Sequence, residues 1–236
     1  MSEKLSKRLR NLALYGLRYS YLRLLDNFGD KIKFIHPDLM SFIAFFIAMV
    51  IGFFYYKSGD TPVFLLINIF LIFLWITLNT LVEVLSMKRS KFTIINAIIY
   101  ALPDRYADLF VVVGISFSSL CNVGIGLIAS VTILLISYTG MLGKALGVSW
   151  QHQGPLDKTD RLVILMAASL LQYLLSKVAT PSVFILGREY SIMELCMVIF
   201  ILLGQFTILM RIKGILSDIK EVNRTLYRED TPEEKL

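Results

Sequence analysis

The sequence is poor in the residues that build metal clusters and disulfide frameworks. It has two cysteines and two histidines. Cys121 and Cys196 lie in or beside apolar segments and share no metal-ligand spacing, so they read as small buried hydrophobes with no disulfide. His36 and His152 stand alone, which suits polar residues at a membrane boundary better than metal ligands. Met1–Pro37 is basic but has no apolar core of the signal-peptide kind, and no nucleic-acid motif occurs along the chain. Neither inverted repeats nor paired interrupted spans are present, which argues against a transporter.

Apolar runs are abundant. Hydrophobic residues make up 56% of the chain, and the mean hydropathy is +0.67. Several runs are long enough to cross a hydrocarbon core of roughly 30 Å, so the chain reads as a polytopic membrane protein. Six spans are expected: Leu39–Tyr56, Val63–Leu85, Thr93–Ser118, Val123–Leu142, Leu162–Leu175 and Met193–Met210. The first is opened by Pro37, and Gly124 and Gly126 in the fourth permit close helix approach. The fold class is therefore all-α, with six transmembrane helices preceded by an amphipathic interfacial helix.

That preceding helix rests on Leu9, Leu12, Leu17, Tyr21, Leu24 and Phe28, which recur at helical spacing among Arg8, Arg10, Arg18 and Arg23. Such a segment either lies in the headgroup plane or packs on protein. The expected organisation is residues 1–37 interfacial, 38–211 transmembrane and 212–236 a charged tail. Lys and Arg concentrate in the amino segment, the loops at 86–91 and 143–161, and the tail. The positive-inside rule then places these regions and both termini in the cytoplasm. The net charge of +6 suits loops beside anionic membrane lipid.

One stretch breaks the apolar pattern. Tyr100–Asp108 reads Tyr-Ala-Leu-Pro-Asp-Arg-Tyr-Ala-Asp, with three charges and a proline inside the third span. An ionisable group at membrane depth costs roughly 2.5–3.5 kcal/mol on insertion scales, so it needs partners, a wet cavity or an ion. Pro103 removes one helix N–H and crowds the carbonyl of Ile99, which is expected to kink the helix. Asn96, Tyr100, Asp104 and Asp108, each four apart, form a polar stripe that must face something other than lipid. Asn79 and Glu83 share a face of the second span, and Lys88, Arg89 and Lys91 follow at its mouth. Carboxylates inside with cations at the rim suit a divalent metal and a phosphate-bearing substrate from the cytoplasm. A structural Asp–Arg pair that only sets helix packing is the other reading of Asp104 and Arg105.

Asp104-Arg105-Tyr106-Ala107-Asp108 resembles the segment that closes the signature of the CDP-alcohol phosphotransferases. Ser137-Tyr138, Lys144-Ala145-Leu146-Gly147, Gly154 and Asp160-Arg161-Leu162 are similar to that family's fourth span, loop and fifth-span start. The likeness covers residues 35 to 210 or so and implies a six-helix fold, a homodimer and a CDP-linked nucleotide or lipid as donor. It implies transfer of a phosphoalcohol to an acceptor hydroxyl in phospholipid synthesis, with Mg²⁺ or Mn²⁺ as cofactor.

The family's signature, Asp-x-x-Asp-Gly-x-x-Ala-Arg followed about eight residues later by Gly-x-x-x-Asp-x-x-x-Asp, is incomplete here. With Asp104 as the final aspartate, in the place of the general base, Tyr100 and Asn96 stand for the preceding aspartate and glycine. Glu83 could then replace one ligand and Lys88 the arginine. A register one turn on puts Asp104 and Asp108 on the last two aspartates, Glu83 on the first and Lys91 on the arginine. It leaves Ser86 and Tyr100 for the others. Glu83 and Asp108 are thus the candidate metal ligands. Lys88, Lys91, Asn79, Asn96, Lys158 and Arg161 are the candidate substrate contacts.

Two metal ions need several carboxylates to balance four positive charges, and this chain retains few of them. Gly140 and Leu142 also stand where the family usually carries arginines. Two functions therefore remain open: a divergent transferase with a reduced metal site, or an inactive paralogue kept as a lipid-binding or partner-binding scaffold.

Overall fold

A computed structural model describes residues 36–88, 94–148, 151, 153–178, 182–185 and 187–229 of the protein. Side chains are described for these except at 37, 83, 84, 86–88, 94–101, 185 and 222–229. The expected interfacial helix before Pro37 and the residues after Glu229 lie outside this set.

The described residues form six helices: α1 (Pro37–Lys57), α2 (Val63–Lys88), α3 (Ile94–Ser116), α4 (Val123–Ala145), α5 (Lys158–Lys177) and α6 (Ile192–Glu229). Local chemistry sets their starts. Pro37 occupies the first turn of α1, where its missing N–H has no helical partner to lose, and Asp38 beside it faces the positive end of the helix. Asn122 caps α4, its side-chain oxygen accepting from the N–H groups of Gly124 at 3.0 Å and Ile125 at 3.4 Å. Gly124 therefore belongs to the cap, and close helix approach falls to Gly126, where an added Cβ would collide with Ser116 of α3. At α5 the carboxylate of Asp160 reaches back to accept the N–H of Asp157 at 3.1 Å.

Each helix has two main neighbours, and together they close a circuit α1–α3–α4–α6–α5–α2. Trp75, Phe200, Ile72, Ile115, Ile133 and Leu165 fill its interior. Phe42, Phe46, Phe53, Phe70, Leu127 and Val131 point outward and are exposed. Helices apolar on both faces suit a lipid surround, which does not penalise exposed hydrocarbon. α1, α2, α4, α5 and α6 are each long and apolar enough to cross a membrane. The chain is a multi-pass integral membrane protein.

The expected count of six spans meets a difference at α3. Among the described residues five helices reach the length and apolarity of a span, and α3 is not one of them. Its Asp104, Arg105 and Asp108 are the physical reason. α3 is nonetheless continuous through Pro103. It packs so closely on α1 that a Cβ at Gly52 would overlap the Phe110 backbone and one at Gly114 the Gly52 backbone.

Two further departures concern the last third of the chain. The connection expected between Lys177 and Glu189 contains a hairpin, β1 (Val183–Ile185) and β2 (Arg188–Tyr190), antiparallel with Val183 opposite Tyr190 and Gly187 at φ +80°. α6 contains the expected sixth span, Met193–Met210, and runs on beyond it as one helix to Glu229. Cys121 and Cys196 are free and buried, as the spacing predicts. Burial and the nearby Glu194 carboxylate push the Cys121 thiol up to about 11, so it is an inert hydrophobe at neutral pH.

Candidate active site

In the circuit α5 stands opposite α3, three helix contacts away by either route. Ion pairs bridge the gap. Asp104 and Asp108 are one turn apart on α3, and Lys158 and Arg161 are one turn apart on α5. Lys158 Nζ pairs with Asp104 Oδ1, and Arg161 Nη2 donates to Asp108 Oδ2 at 2.8 Å. Both numbers rise together because α3 and α5 run the same way through the bundle.

Arg105 links the two pairs. Its Nη2 lies 3.3 Å from Asp104 Oδ2, and its Nη1 lies 3.7 Å from Asp108 Oδ2. The same Nη1 donates to the hydroxyl of Ser137 on α4 at 2.5 Å. Lys158 also lies 4.7 Å above the ring of Trp75 on α2, so a cation–π contact draws a fourth helix into the cluster. Depth differs across it. Side chains of Asp108 and Arg161 are 5% and 4% exposed, whereas Arg105, Lys158 and Asp104 are 28%, 23% and 20% exposed. Below the deep pair lies a cleft with room for about one water molecule, lined by Trp75, Asp108, Ile133, Arg161, Leu165 and Phe200.

The loop before α5 is held by Arg211 of α6. Its Nη1 donates to the Ile136 carbonyl at 2.6 Å and its Nε to the Gln153 carbonyl at 3.2 Å, while Nη2 faces Asp157 Oδ1 at 3.3 Å. Gly154 lies in the same loop at φ +122°, against Thr207 of α6, a position that excludes any side chain. Gln151 adds a donor to Asp218 at 2.7 Å. These contacts fix the start of α5 and hence where Lys158 and Arg161 point.

Of the expected site residues, Asp104, Asp108, Lys158 and Arg161 come together. Asn79 does not join them, since its amide nitrogen donates to the Trp75 carbonyl one turn back in its own helix at 3.0 Å. The side chains of Glu83, Lys88 and Asn96, and Lys91 as a whole, lie outside the described residues. Four participants were not among the expected site residues: Trp75, Ser137, Arg211 and Arg105, the last expected only as a structural partner of Asp104. A lone arginine closing the apolar run Met193–Met210 is the one sequence signal that points to Arg211.

No protein-family model and no curated sequence matches the chain. Solved structures do. Phosphatidylinositol phosphate synthase (PgsA1) of Mycobacterium tuberculosis with CDP-DAG bound superposes with a TM-score of 0.63 at 16% identity, over 82% of this chain and 94% of that one. This chain shares that synthase's fold. The synthase in complex with manganese and citrate gives 0.60 at 17% identity, covering 83% of this chain and 87% of that one. Its apo form gives 0.59 at 17% identity, over 83% and 94%.

The synthase structure with manganese raises the question of a metal here. Both oxygens of Asp104 face cations, and Asp108 faces two arginines. Among the described residues no three His, Cys, Asp or Glu side chains are grouped to hold an ion. A divalent ion bound here would meet three cations and two ion-paired acids, Asp104 and Asp108, while Glu83, expected as a ligand beside Asp108, has no described side chain.

Proposed function

We propose that the chain is a divergent CDP-alcohol phosphotransferase-like membrane protein that handles a CDP-linked lipid or nucleotide. The observation that carries this reading is the Asp104–Lys158 and Asp108–Arg161 cluster inside a fold shared with a synthase that binds CDP-DAG. Enclosed charge of this kind costs stability against an apolar core, which favours a use for it over a merely structural pair. The cluster lies at the end of the bundle where α5 begins and α4 finishes, the end that the positive-inside rule assigns to the cytoplasm. A phosphate-bearing donor would arrive from that side.

In this reading Asp104 takes the proton of the acceptor hydroxyl as the oxygen attacks the phosphorus that carries the alcohol group. The bond from that phosphorus to the bridging diphosphate oxygen breaks, and CMP leaves with the electron pair. Lys158 is the natural partner for the phosphate charge, because it is already beside Asp104 and partly exposed. Freed from Lys158, the Asp104 carboxylate becomes available as the base.

The test is CMP release from CDP-diacylglycerol by protein reconstituted in vesicles, across a panel of acceptor alcohols, beside Asp104→Asn. Release by the parent and a loss of about 10²–10⁴-fold in the variant are expected, the usual contribution of a general base. A well-folded sample that neither binds the donor nor releases CMP would leave the inactive scaffold as the function.

A further inference from the structure

We propose, resting on the reading above, that the donor's diphosphate is held directly by Lys158 and Arg105, with no divalent ion between the protein and the phosphates. The charge inventory motivates this. Among the described residues three cations meet two carboxylates, so this ion-paired cluster carries a net +1 (three minus two). A divalent cation added there raises the charge to +3 in a poorly screened interior. A diphosphate diester, carrying two negative charges, instead brings it to −1.

Geometry points the same way. Arg105 Nε is buried with no hydrogen-bond partner among the described residues, although the guanidinium has five N–H donors in a planar fork. That is an open donor beside Asp104, in a side chain whose other nitrogens already reach Asp104, Asp108 and Ser137. Arg105 and Lys158 lie on the more exposed side of the cluster, so an anion reaches them first. Arg161 stays anchored on Asp108 below, and Trp75 keeps Lys158 from swinging away. The carboxylates serve here to hold the cations in place, the reverse of a metal cage in which they hold the ion.

Two measurements separate this from metal-mediated binding. Dioctanoyl CDP-diacylglycerol is titrated calorimetrically into the detergent-purified full chain, once in EDTA and once in Mn²⁺. The affinities are expected to agree within about twofold. Lys158→Ala is expected to weaken binding about 10-fold or more, as loss of a charge-assisted contact does. Asp104→Asn supplies the sign test: removing the acid releases Lys158 and Arg105 and tightens binding, whereas in a carboxylate–metal site the same change abolishes it. A thermal melt of each variant confirms that it folds, and the EDTA comparison needs no variant at all. Binding that requires Mn²⁺, with Asp104→Asn inactive in binding, overturns the direct-cation site and leaves the proposed transferase standing. Absence of binding in both conditions by the folded parent overturns both.

Discussion

The two sides of α3 are built on opposite principles. Toward α1 it presents Gly114 to Gly52, backbone against backbone with no side chain between them. Toward α5 it presents Asp104 and Asp108 to Lys158 and Arg161 across the interior. The first contact is close, dry and intolerant of added volume. The second spans a wider gap with long side chains and depends on charge balance. In lipid there is little hydrophobic drive between helices, so small residues that allow close packing supply the scaffold. Ionic groups then mark where the scaffold is put to use.

The largest effect should come from breaking the close side. Gly114→Leu places a branched chain where the Gly52 backbone already lies, and neither helix can yield without leaving the circuit. The cost should exceed the roughly 1–3 kcal/mol of ordinary overpacking, and monodisperse protein should not survive solubilisation. Recovery of a stable, monodisperse variant would show that α1 and α3 are not pinned by this contact.

Asp108→Ala comes next. It strands the Arg161 guanidinium, 4% exposed, without its 2.8 Å partner. About 3–5 kcal/mol should be lost in a denaturant or thermal titration. The double variant Asp108→Leu with Arg161→Leu should recover most of that loss, since an apolar pair of similar volume often matches a buried ion pair. A double variant no more stable than Asp108→Ala would mean that the pair contributes more than mutual neutralisation.

Ser137→Ala should be the mildest. It removes the 2.5 Å contact from Arg105, yet leaves that guanidinium both carboxylates. A loss of about 1 kcal/mol is expected, with helix content unchanged by circular dichroism. A drop as large as that of Asp108→Ala would place α4 inside the ionic cluster rather than at its edge.

Much of this protein was legible in one dimension because membrane helices report themselves through composition. Apolar run lengths located all six helices to within a few residues at most ends, and the charged stretch at Tyr100–Asp108 picked out the helix that differs. Asp160 and Asp157 announced the start of α5 less plainly, and the expected span began four residues late at Leu162. The hairpin at 183–190 was missed because three-residue strands are too short for an alternation to register. α6 outruns the apolar stretch that marks the sixth span because a polarity change marks the edge of an apolar run and not the end of a helix.

The site divides along the same line. Spacing along a helix is a local property, so the sequence alone established that Asp104 and Asp108 share a face, that lipid cannot be their neighbour, and that membrane helices build the domain. What lies opposite that face depends on which helices become neighbours, and no local periodicity encodes it. Only the closed circuit set α5 across from α3, delivered Lys158 and Arg161 to the two aspartates more than fifty residues away, and anchored that delivery with Arg211. An isolated acid in a span is compatible with a metal ligand or with one half of an ion pair. The sequence does not name the partner, because the charge that compensates the acid comes from another helix.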